Sequence, residues 1–168
     1  MHIHLNRNNP GYKPFKVFTA RRTPLHFKQQ ASKLISQLEA SGVIVKVPPS
    51  ENVEWCSPGF FIPKPNGDVR LVTDYKHLNQ FIDRPVHPFP YCKDIFRGIK
   101  STSQWFLKFD AAQGYHQIPL DEESSKLTTF LVESSRYGYI RAPMGLNPSS
   151  VHFCSRADEA FSSVEGIL

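Results

Sequence analysis

Two short apolar runs that flank a turn sequence constrain the fold of this chain more than any other feature. Residues 59–64 and 69–74 are rich in Phe, Ile, Val and Leu, and Pro65-Asn66-Gly67-Asp68 lies between them. An Asn-Gly pair tolerates the positive φ angles of a tight hairpin turn, because glycine has no Cβ and asparagine enters the left-handed region easily. The pattern therefore predicts a β-hairpin.

Other segments predict helices and strands in irregular alternation. Thr23-Pro24 predicts the start of a helix that ends at Ser41-Gly42, with Leu25 on its apolar face. A strand is predicted at 43–47, and a helix at 91–99 is predicted to bury Ile95, Phe96 and Ile99. A buried strand is predicted at 105–109. A hairpin of 128–132 with 139–141 and a helix from Asn147 are predicted to follow. There is no internal repeat, so a mixed α+β fold is predicted.

The size and composition of the chain predict one domain. Its 168 residues, of which 40% are hydrophobic, can bury one core. Residues 1–20 have no periodicity and contain Asn8-Asn9-Pro10-Gly11, which predicts a loose leader before a domain at 21–168. Three widely spaced cysteines support neither a disulfide framework nor a zinc knuckle. No apolar run reaches the ~20 residues of a membrane span, so no membrane association is expected.

Charge is distributed unevenly along the chain. Residues 1–50 hold eight Lys and Arg against Glu39 alone, whereas residues 101–168 hold five against eight acidic residues. A basic surface attracts a phosphate backbone without reading its sequence, and an acidic patch repels nucleic acid unless cations neutralise it. The distribution favours nucleic-acid binding, and ordinary solvation of a surface helix is the alternative.

One carboxylate, Asp110, follows the apolar run 106–109, and Gly114 and Tyr115 come shortly after it. An unpaired charge is costly to bury, so Asp110 is expected at an edge, paired or holding a metal ion. A carboxylate at a strand end suits Mg²⁺, which takes few protein oxygens and keeps positions for substrate phosphates. A turn residue or helix cap is the alternative.

Two cations, Lys64 and Arg70, bracket the predicted hairpin turn. If the hairpin forms, both side chains project from neighbouring strands toward one anion. The alternative is a solvated hairpin tip.

Three segments together resemble the fingers and palm of a reverse transcriptase from a long-terminal-repeat retrotransposon of the Gypsy type. They are Arg-Leu-Val-Thr-Asp-Tyr-Lys-His-Leu-Asn at 70–79, the run at 106–120 with Asp110 and Tyr115, and Ala-Pro-Met-Gly-Leu at 142–146. Further motifs follow in family order over residues 21–168. The resemblance implies fingers at about 21–85 and 118–142, and a partial palm at about 86–117 and 143–168.

The resemblance also implies an activity, RNA-directed DNA synthesis by two-metal nucleotidyl transfer. It implies that Asp110 binds both Mg²⁺ or Mn²⁺ ions, with the backbone carbonyl of Ala111 as a further ligand. The aromatic at Tyr115 would lie under the incoming sugar and exclude a ribose hydroxyl. Lys64 and Arg70 would hold the triphosphate.

The remaining nucleotide-binding residues are implied in the same way. Gln113 and Gly114 would shape the 3′-hydroxyl pocket, and Met144 and Gly145 would pack against nucleotide and template. Here the usual Met-Pro-Phe-Gly-Leu-x-Asn-Ala-Pro reads Ala-Pro-Met-Gly-Leu-Asn-Pro-Ser. Asp74 and Asn79 are expected to be structural hydrogen-bonding residues.

The family's second metal-binding element is a Tyr-x-Asp-Asp hairpin, and no Asp-Asp pair occurs in this sequence. One carboxylate cannot offset the mutual repulsion of two divalent cations. We therefore expect this chain alone to bind metal ions poorly and to extend no primer.

The implied partners are an RNA or DNA template-primer, deoxynucleoside triphosphates, and the rest of a Pol polyprotein, namely the remaining palm, thumb, connection and RNase H segments. The implied location is the cytoplasm, in virus-like particles, with access to the nucleus. Two other functions stay open from the residues: a non-catalytic nucleic-acid-binding domain, and a degenerate transposon relic without activity.

Overall fold

A five-stranded mixed sheet organises the computed structural model, which describes residues 1–83, 88, 92–99, 101, 102 and 104–164. The strands lie in the order β1-β5-β4-β2-β3, with β2 and β4 parallel and the other pairs antiparallel. Their bounds are β1 Ile44–Val47, β2 Ser57–Pro63, β3 Val69–Thr73, β4 Phe130–Val132 and β5 Ser135–Tyr139. The predicted α+β class is confirmed.

Five α-helices accompany this sheet in the described residues. They are α1 Lys28–Ala40, α2 Lys76–Asn79, α3 Cys92–Gly98, α4 Glu122–Leu127 and α5 Asn147–Phe161. The predicted helix from Asn147 is confirmed, with Pro148 in its first turn. A 3-10 turn at Leu25–Phe27 precedes α1, so the first α-helix begins later than Thr23-Pro24 predicts. Leu25 is 82% exposed, and its predicted place on the apolar face is wrong.

The first hairpin is confirmed. β2 pairs with β3 from Gly59 opposite Thr73 to Pro63 opposite Val69. Gly67 has a φ of +84°, the left-handed conformation that the Asn-Gly pair predicts.

The second hairpin is shifted from its predicted position. β4 and β5 turn at residues 133–134, because Glu133 adopts a positive φ of 53° there. Ser135 and Arg136 therefore pair within β5, and the strand predicted at 139–141 ends at Tyr139.

The core combines buried residues of β1, β4 and β5 with residues of α2, the N-terminal segment and the connecting loops, and side chains of α1 pack against it. Trp55, Leu78 and Phe130 have no exposed surface. Tyr75 is also buried, and its hydroxyl donates to the Thr128 carbonyl oxygen at 3.0 Å. A buried hydroxyl without a partner is costly, so this bond fixes the ring in one orientation.

The first residues of the chain pack on the domain, which contradicts the prediction of a loose leader. Ile3 is buried, and its backbone N–H donates to the Ser124 hydroxyl at 2.7 Å. The Asn6 N–H donates to the Phe81 carbonyl at 2.8 Å, and the Asp83 N–H donates to the His4 carbonyl at 2.9 Å. These bonds hold residues 1–6 against two distant segments. The domain boundary at residue 21 stays a prediction.

Two predictions of burial in the second half are wrong. The segment 105–109 forms no strand with any described residue, and Trp105 and Phe109 are 89% and 84% exposed. A strand needs a hydrogen-bonded neighbour, and the described part of the chain gives this segment none. In α3 the Phe96 side chain is 71% exposed, whereas Tyr91 and the Ile95 side chain lie outside the described parts.

Within the described ranges, no helix combines the length and the apolar character that crossing a membrane requires.

Candidate active site

Two loops that carry predicted site residues are held side by side by a short antiparallel contact. The Leu120 N–H donates to the Ile140 carbonyl at 3.0 Å, and the Ala142 N–H donates to the Ile118 carbonyl at 2.8 Å. In an antiparallel pair, residues that precede one segment lie beside residues that follow the other. The loop at 113–117 is therefore next to the loop at 143–146.

A strained backbone shapes the first of these loops. Gln113 has φ 50° and ψ 44°, a left-handed conformation that is uncommon for a residue with a side chain. Its carbonyl accepts from the His116 N–H at 2.8 Å, and the Gln117 side chain donates to the Ala112 carbonyl at 3.0 Å. These bonds close a 3-10 turn over Gly114–Gln117.

Phe153 of α5 packs against the same turn. Its ring meets the ring of half-buried Tyr115 edge-on, with centroids 5.6 Å apart. A Cβ on Gly114 would lie 2.5 Å from Phe153 Cε2, a distance that real Cβ atoms do not reach. Glycine at 114 thus allows close contact between turn and helix, and the contact fixes the position of Tyr115.

The second loop is pinned to α2 by Asn79. Its Nδ2 donates to the Gly145 carbonyl at 2.8 Å, and its Oδ1 accepts from the Asn147 N–H at 2.9 Å. Gly145 has a φ of +83°, so the loop needs glycine there. The prediction that Asn79 is a structural hydrogen-bonding residue is confirmed.

Strand β3 runs up to this loop. A Cβ placed on Gly145 would lie 3.7 Å from the Thr73 carbonyl oxygen. Arg70 is three residues earlier on β3, about 10 Å along the strand. Asp74 follows Thr73, accepts from the Lys76 N–H at 3.1 Å and lies 3.9 Å from the Arg21 guanidinium. Asp74 has the structural role that the sequence predicts.

The hairpin presents its two cations on one face. Arg70 is opposite Ile62, and the pairing continues one residue past β2, since the Lys64 N–H donates to the Asp68 carbonyl at 2.7 Å. Lys64 and Arg70 are therefore diagonal cross-strand neighbours, a relationship that separates Cα atoms by about 7–8 Å. Both side chains are exposed. Lys64 also borders the groove between α1 and the hairpin.

Asp110 is exposed, as are Ala111 and Gln113 after it. Its carboxylate fits Mg²⁺ in kind, because it is a hard oxygen ligand open to water. In the described parts of the chain, no three His, Cys, Asp or Glu side chains cluster as a metal site would require. Asp110 therefore belongs to no group of three or more such side chains in the part of the chain that the structure describes. Met144 beside Gly145 is 70% exposed.

The titratable group nearest the Tyr115 turn is a histidine. Burial lowers the pKa of His116, so its imidazole is neutral at pH 7 and adds no positive charge to the turn.

The structure brings together the turn with Gln113, Gly114 and Tyr115, the Gly145 loop and the end of β3. The roles of these residues, of Asp110 and of the hairpin cations stay predictions. Sequence reasoning missed Phe153, which contacts Gly114 and Tyr115. An aromatic residue on the helix after the Gly145 loop was the available signal, but its partners are distant in sequence.

Comparison with known proteins gives a consistent result. The family model described as "Reverse transcriptase (RNA-dependent DNA polymerase)" matches residues 62–167. The chain is 30% identical over 145 residues to the retrovirus-related Pol polyprotein from transposon 297 of Drosophila melanogaster, covering 80% of this chain and 14% of that protein. It is 29% identical over 160 residues to a putative enzymatic polyprotein of Cassava vein mosaic virus, covering 93% and 24%.

Solved structures share the fold. The prototype foamy virus protease-reverse transcriptase matches with a TM-score of 0.78 and 22% identity, over 98% of this chain and 21% of that one. A foamy viral protease-reverse transcriptase in complex with an RNA/DNA hybrid matches with a TM-score of 0.76 and 19% identity, over 99% and 22%.

The fold is therefore that of the fingers and palm of a polymerase. The chain belongs to the reverse transcriptase family, the RNA-directed DNA polymerases, as its residues 62–167 show. It spans 12% and 14% of the length of the first two curated relatives that it matches.

Proposed function

We propose that this chain supplies the fingers and part of the palm for template-directed DNA synthesis within a longer Pol polyprotein. The observation that carries the proposal is the convergence of three elements: the Gly114–Gln117 turn, the Gly145 loop and strand β3. The 118–120 and 140–142 pairing joins the first two, and the contact of Gly145 with Thr73 joins the third. Gly145 is exposed, and the atom nearest to an added Cβ there is 3.7 Å away, so a nucleotide can approach its backbone closely.

The nucleotide would be held by three kinds of contact. Arg70 offers a two-pronged donor and Lys64 a compact charge, which together suit a triphosphate. The Tyr115 ring, kept in place by Phe153, would lie under the sugar and disfavour a ribose hydroxyl by exclusion. Gln113, Met144 and the glycine backbones would line the rest of the pocket.

Asp110, with the Ala111 carbonyl, would be the part of this chain that holds metal ions. Two bound Mg²⁺ or Mn²⁺ ions would activate the attacking 3′-hydroxyl and neutralise the departing pyrophosphate. A two-metal site would need further carboxylates, since the described residues contain no group of three or more His, Cys, Asp or Glu side chains. We accordingly expect the 168-residue chain to bind Mg²⁺ weakly and to extend no primer.

Two observations support a longer polypeptide. The matched relatives are several times longer than this chain. The segment 105–109 exposes four large apolar side chains to water, a surface that usually contacts other protein. The proposed partners are the remaining palm, thumb, connection and RNase H segments, an RNA or DNA template-primer and deoxynucleoside triphosphates, in cytoplasmic virus-like particles with access to the nucleus.

Primer extension tests this proposal. A longer polypeptide that continues into an Asp-Asp hairpin should extend a templated primer with deoxynucleotides and Mg²⁺, and Asp110→Ala should abolish extension. Asp94→Ala is the matched control, because Asp94 is exposed and its carboxylate pairs with Arg97 on the same helix. Unchanged extension by the Asp110 variant would refute the role of Asp110, and extension by the 168-residue chain would refute its expected inactivity.

A second function, nucleic-acid binding without catalysis, is favoured by one observation. The basic residues concentrate in the first half of the chain, whereas the described residues contain no group of three or more His, Cys, Asp or Glu side chains that could hold a metal ion. Metal-dependent binding of a deoxynucleoside triphosphate by the longer polypeptide would separate the two functions, since a pure binder does not require the metal. Reading the encoding DNA past residue 168 for an Asp-Asp hairpin tests the third reading, a transposon relic.

A further inference from the structure

Two dipeptides in the chain have the form that proline-directed protein kinases modify, a Ser or Thr followed by Pro. They are Thr23-Pro24 and Ser57-Pro58. An enzyme that modifies a folded protein acts on exposed segments without regular structure, because the segment must fit into the cleft of the enzyme. The structure therefore decides which of the two hydroxyls a kinase can reach.

Ser57 is closed to such an enzyme. It begins β2, pairs with Phe130 of β4 and is 2% exposed. Its N–H donates to the Thr129 carbonyl at 2.8 Å. Since β2 lies between β4 and β3, a kinase could reach the Ser57 hydroxyl only after the sheet had opened.

Thr23 lies in an irregular surface segment instead. Residues 18–24 form neither helix nor strand, and most of them are exposed. The Thr23 side chain lines an open groove of about 790 Å³, so the hydroxyl can be reached from water. Pro24 has φ −54° and ψ 141°, an extended backbone of the kind that fits an enzyme cleft.

The same groove holds an excess of positive charge around Thr23. Arg21, Arg22 and Lys28 line it, and Glu133 is the one acid that lines it with them. A phosphate on a threonine carries a charge of about −1.5 to −2 at pH 7 and three strong acceptor oxygens. The groove could neutralise such a group even though Glu133 opposes it.

Two of these cations are open to a new partner. The Arg21 guanidinium already lies 4.4 Å from the centroid of the Phe60 ring and 3.9 Å from the Asp74 carboxylate. In the part of the chain that the structure describes, Arg22 and Lys28 form no ion pair with an acid. Their charges are therefore free to hold a phosphate.

The start of α1 also favours a negative group nearby. Its first residue is a cation, Lys28, its first turn holds no acidic residue, and no side chain caps it. The start of a helix carries partial positive charge and is stabilised by anions, so a lysine there is unfavourable. A phosphate beside Lys28 would offset both charges.

We propose that Thr23 is a phosphorylation site for a proline-directed kinase and that its phosphate pairs with Arg22 and Lys28, which fastens the irregular segment to the start of α1. The kinase would transfer the γ-phosphoryl group of ATP to Thr23 Oγ1. The new O–P bond forms as the bond from the γ-phosphorus to the bridging oxygen breaks, ADP leaves, and the hydroxyl proton passes to the catalytic carboxylate of the kinase. The inference goes beyond the proposed function and does not depend on it.

A kinase assay on the 168-residue chain tests the site. The chain is incubated with ATP, Mg²⁺ and either a mitogen-activated or a cyclin-dependent protein kinase, and mass spectrometry locates the phosphate. Thr23 should carry at least about tenfold more phosphate than Ser57, because Ser57 is reached only through local opening of the sheet. Thr23→Val should remove this incorporation. Equal modification of the two residues, or no phosphate on Thr23 with either kinase, would overturn the proposal.

Thermal unfolding tests the contacts of the phosphate. The phosphorylated chain should have a Tm about 2–4 °C above that of the unmodified chain, and the gain should shrink near 1 M salt. Arg22→Gln/Lys28→Gln should lose most of the gain. Lys93→Gln/Arg156→Gln should keep it, because it makes the same charge change on α3 and α5, which do not line the groove. No gain in the original chain, or the same gain in both double variants, would refute the pairing.

Discussion

Asn79 Nδ2 donates a hydrogen bond of 2.8 Å to the carbonyl oxygen of Gly145, and this bond ties α2 to the loop beside the candidate nucleotide site. The Asn79 side chain also accepts from the Asn147 N–H, so one amide is hydrogen-bonded to the residues before and after Leu146. The left-handed conformation of Gly145 is thereby fixed before any ligand binds. Such pre-organisation lowers the entropic cost of ordering the loop when a ligand binds.

Removal of this amide should destabilise the fold. Asn79→Ala loses two side-chain hydrogen bonds in a half-buried setting, and we expect the free energy of unfolding to fall by about 1–3 kcal/mol. Urea unfolding followed by circular dichroism measures the change. Asn66→Ala is the control, because that amide also makes two hydrogen bonds but lies at the exposed hairpin tip. Equal destabilisation in the two variants would contradict the special role of Asn79.

The contact between Gly114 and Phe153 gives a second prediction. Gly114→Ala places a Cβ 2.5 Å from the Phe153 ring, and the resulting overpacking should cost about 1–3 kcal/mol of unfolding free energy. Phe153→Leu in the same chain should relieve part of this cost, giving a coupling energy above ~0.5 kcal/mol in a double-mutant cycle of urea unfolding. At Gly11 the nearest atom to an added Cβ is 3.5 Å away, so Gly11→Ala is the control. Additive effects of the two changes would refute the contact.

Stability at low pH should depend on Asp121, the N-cap of α4. Burial acts to raise the pKa of this carboxyl, but hydrogen bonds from Ser124 and His2 outweigh burial and hold the pKa below the ordinary 3.8. A folded-state pKa below the unfolded one stabilises the fold above the unfolded value, and this contribution is lost as pH falls through the folded value. The carboxylate contribution should therefore be complete at pH 7 and disappear below pH 3.8.

Urea unfolding at several pH values checks this expectation. Asp121→Ala should lose about 1 kcal/mol at pH 7, because the acceptor for the Ser124 N–H is removed. The difference from the original chain should shrink as pH falls below 3.8. Asp121→Asn keeps a capping oxygen that does not titrate, so its stability relative to Asp121→Ala should stay constant with pH. A gap between the original chain and Asp121→Ala that is the same at pH 7 and at low pH would refute the assignment.

Sugar selection should depend on the ring of Tyr115. In a longer polypeptide that extends primers, Tyr115→Val should raise the use of ribonucleotides relative to deoxynucleotides by about 10–100-fold, because a smaller side chain no longer excludes the 2′-hydroxyl. Single-nucleotide incorporation with each substrate gives the ratio of kcat/KM values. Tyr115→Phe keeps the ring and should keep the selection. A ratio unchanged in the valine variant would show that Tyr115 does not contact the sugar.

Features that depend on local chemistry could be predicted from the sequence. The Asn66-Gly67 pair defines its own turn, and Asn147-Pro148 marks a helix start, so the first hairpin and α5 are where the pattern indicates. The segment 105–109 could not be predicted in the same way, because an apolar run forms a strand only when a neighbouring strand pairs with it. The sequence shows that the segment is hydrophobic, but it does not show which segment would pair with it.

Long-range contacts account for the other differences between the predictions and the structure. Ile3 packs in the core, and its N–H donates to the hydroxyl of Ser124, far away in sequence. No periodicity in residues 1–20 carries that information. Phe153 supports Tyr115 through a contact between α5 and a turn that precedes β4. At the candidate site, residue types could be predicted from motifs, whereas the groups that hold them in place could not.

The parallel pairing of β2 with β4 has a consequence for how this polypeptide folds. Ser57 is opposite Phe130 in the sheet, although a large part of the chain separates them. The β2-β3 hairpin can form as soon as it is made, but its other edge has no neighbour until β4 has been synthesised. Closing so long a loop carries an entropic cost before any contact offsets it, and such topologies fold slowly. During translation one edge of β2 therefore stays unpaired until β4 is made, and an unpaired strand edge favours aggregation of the nascent chain.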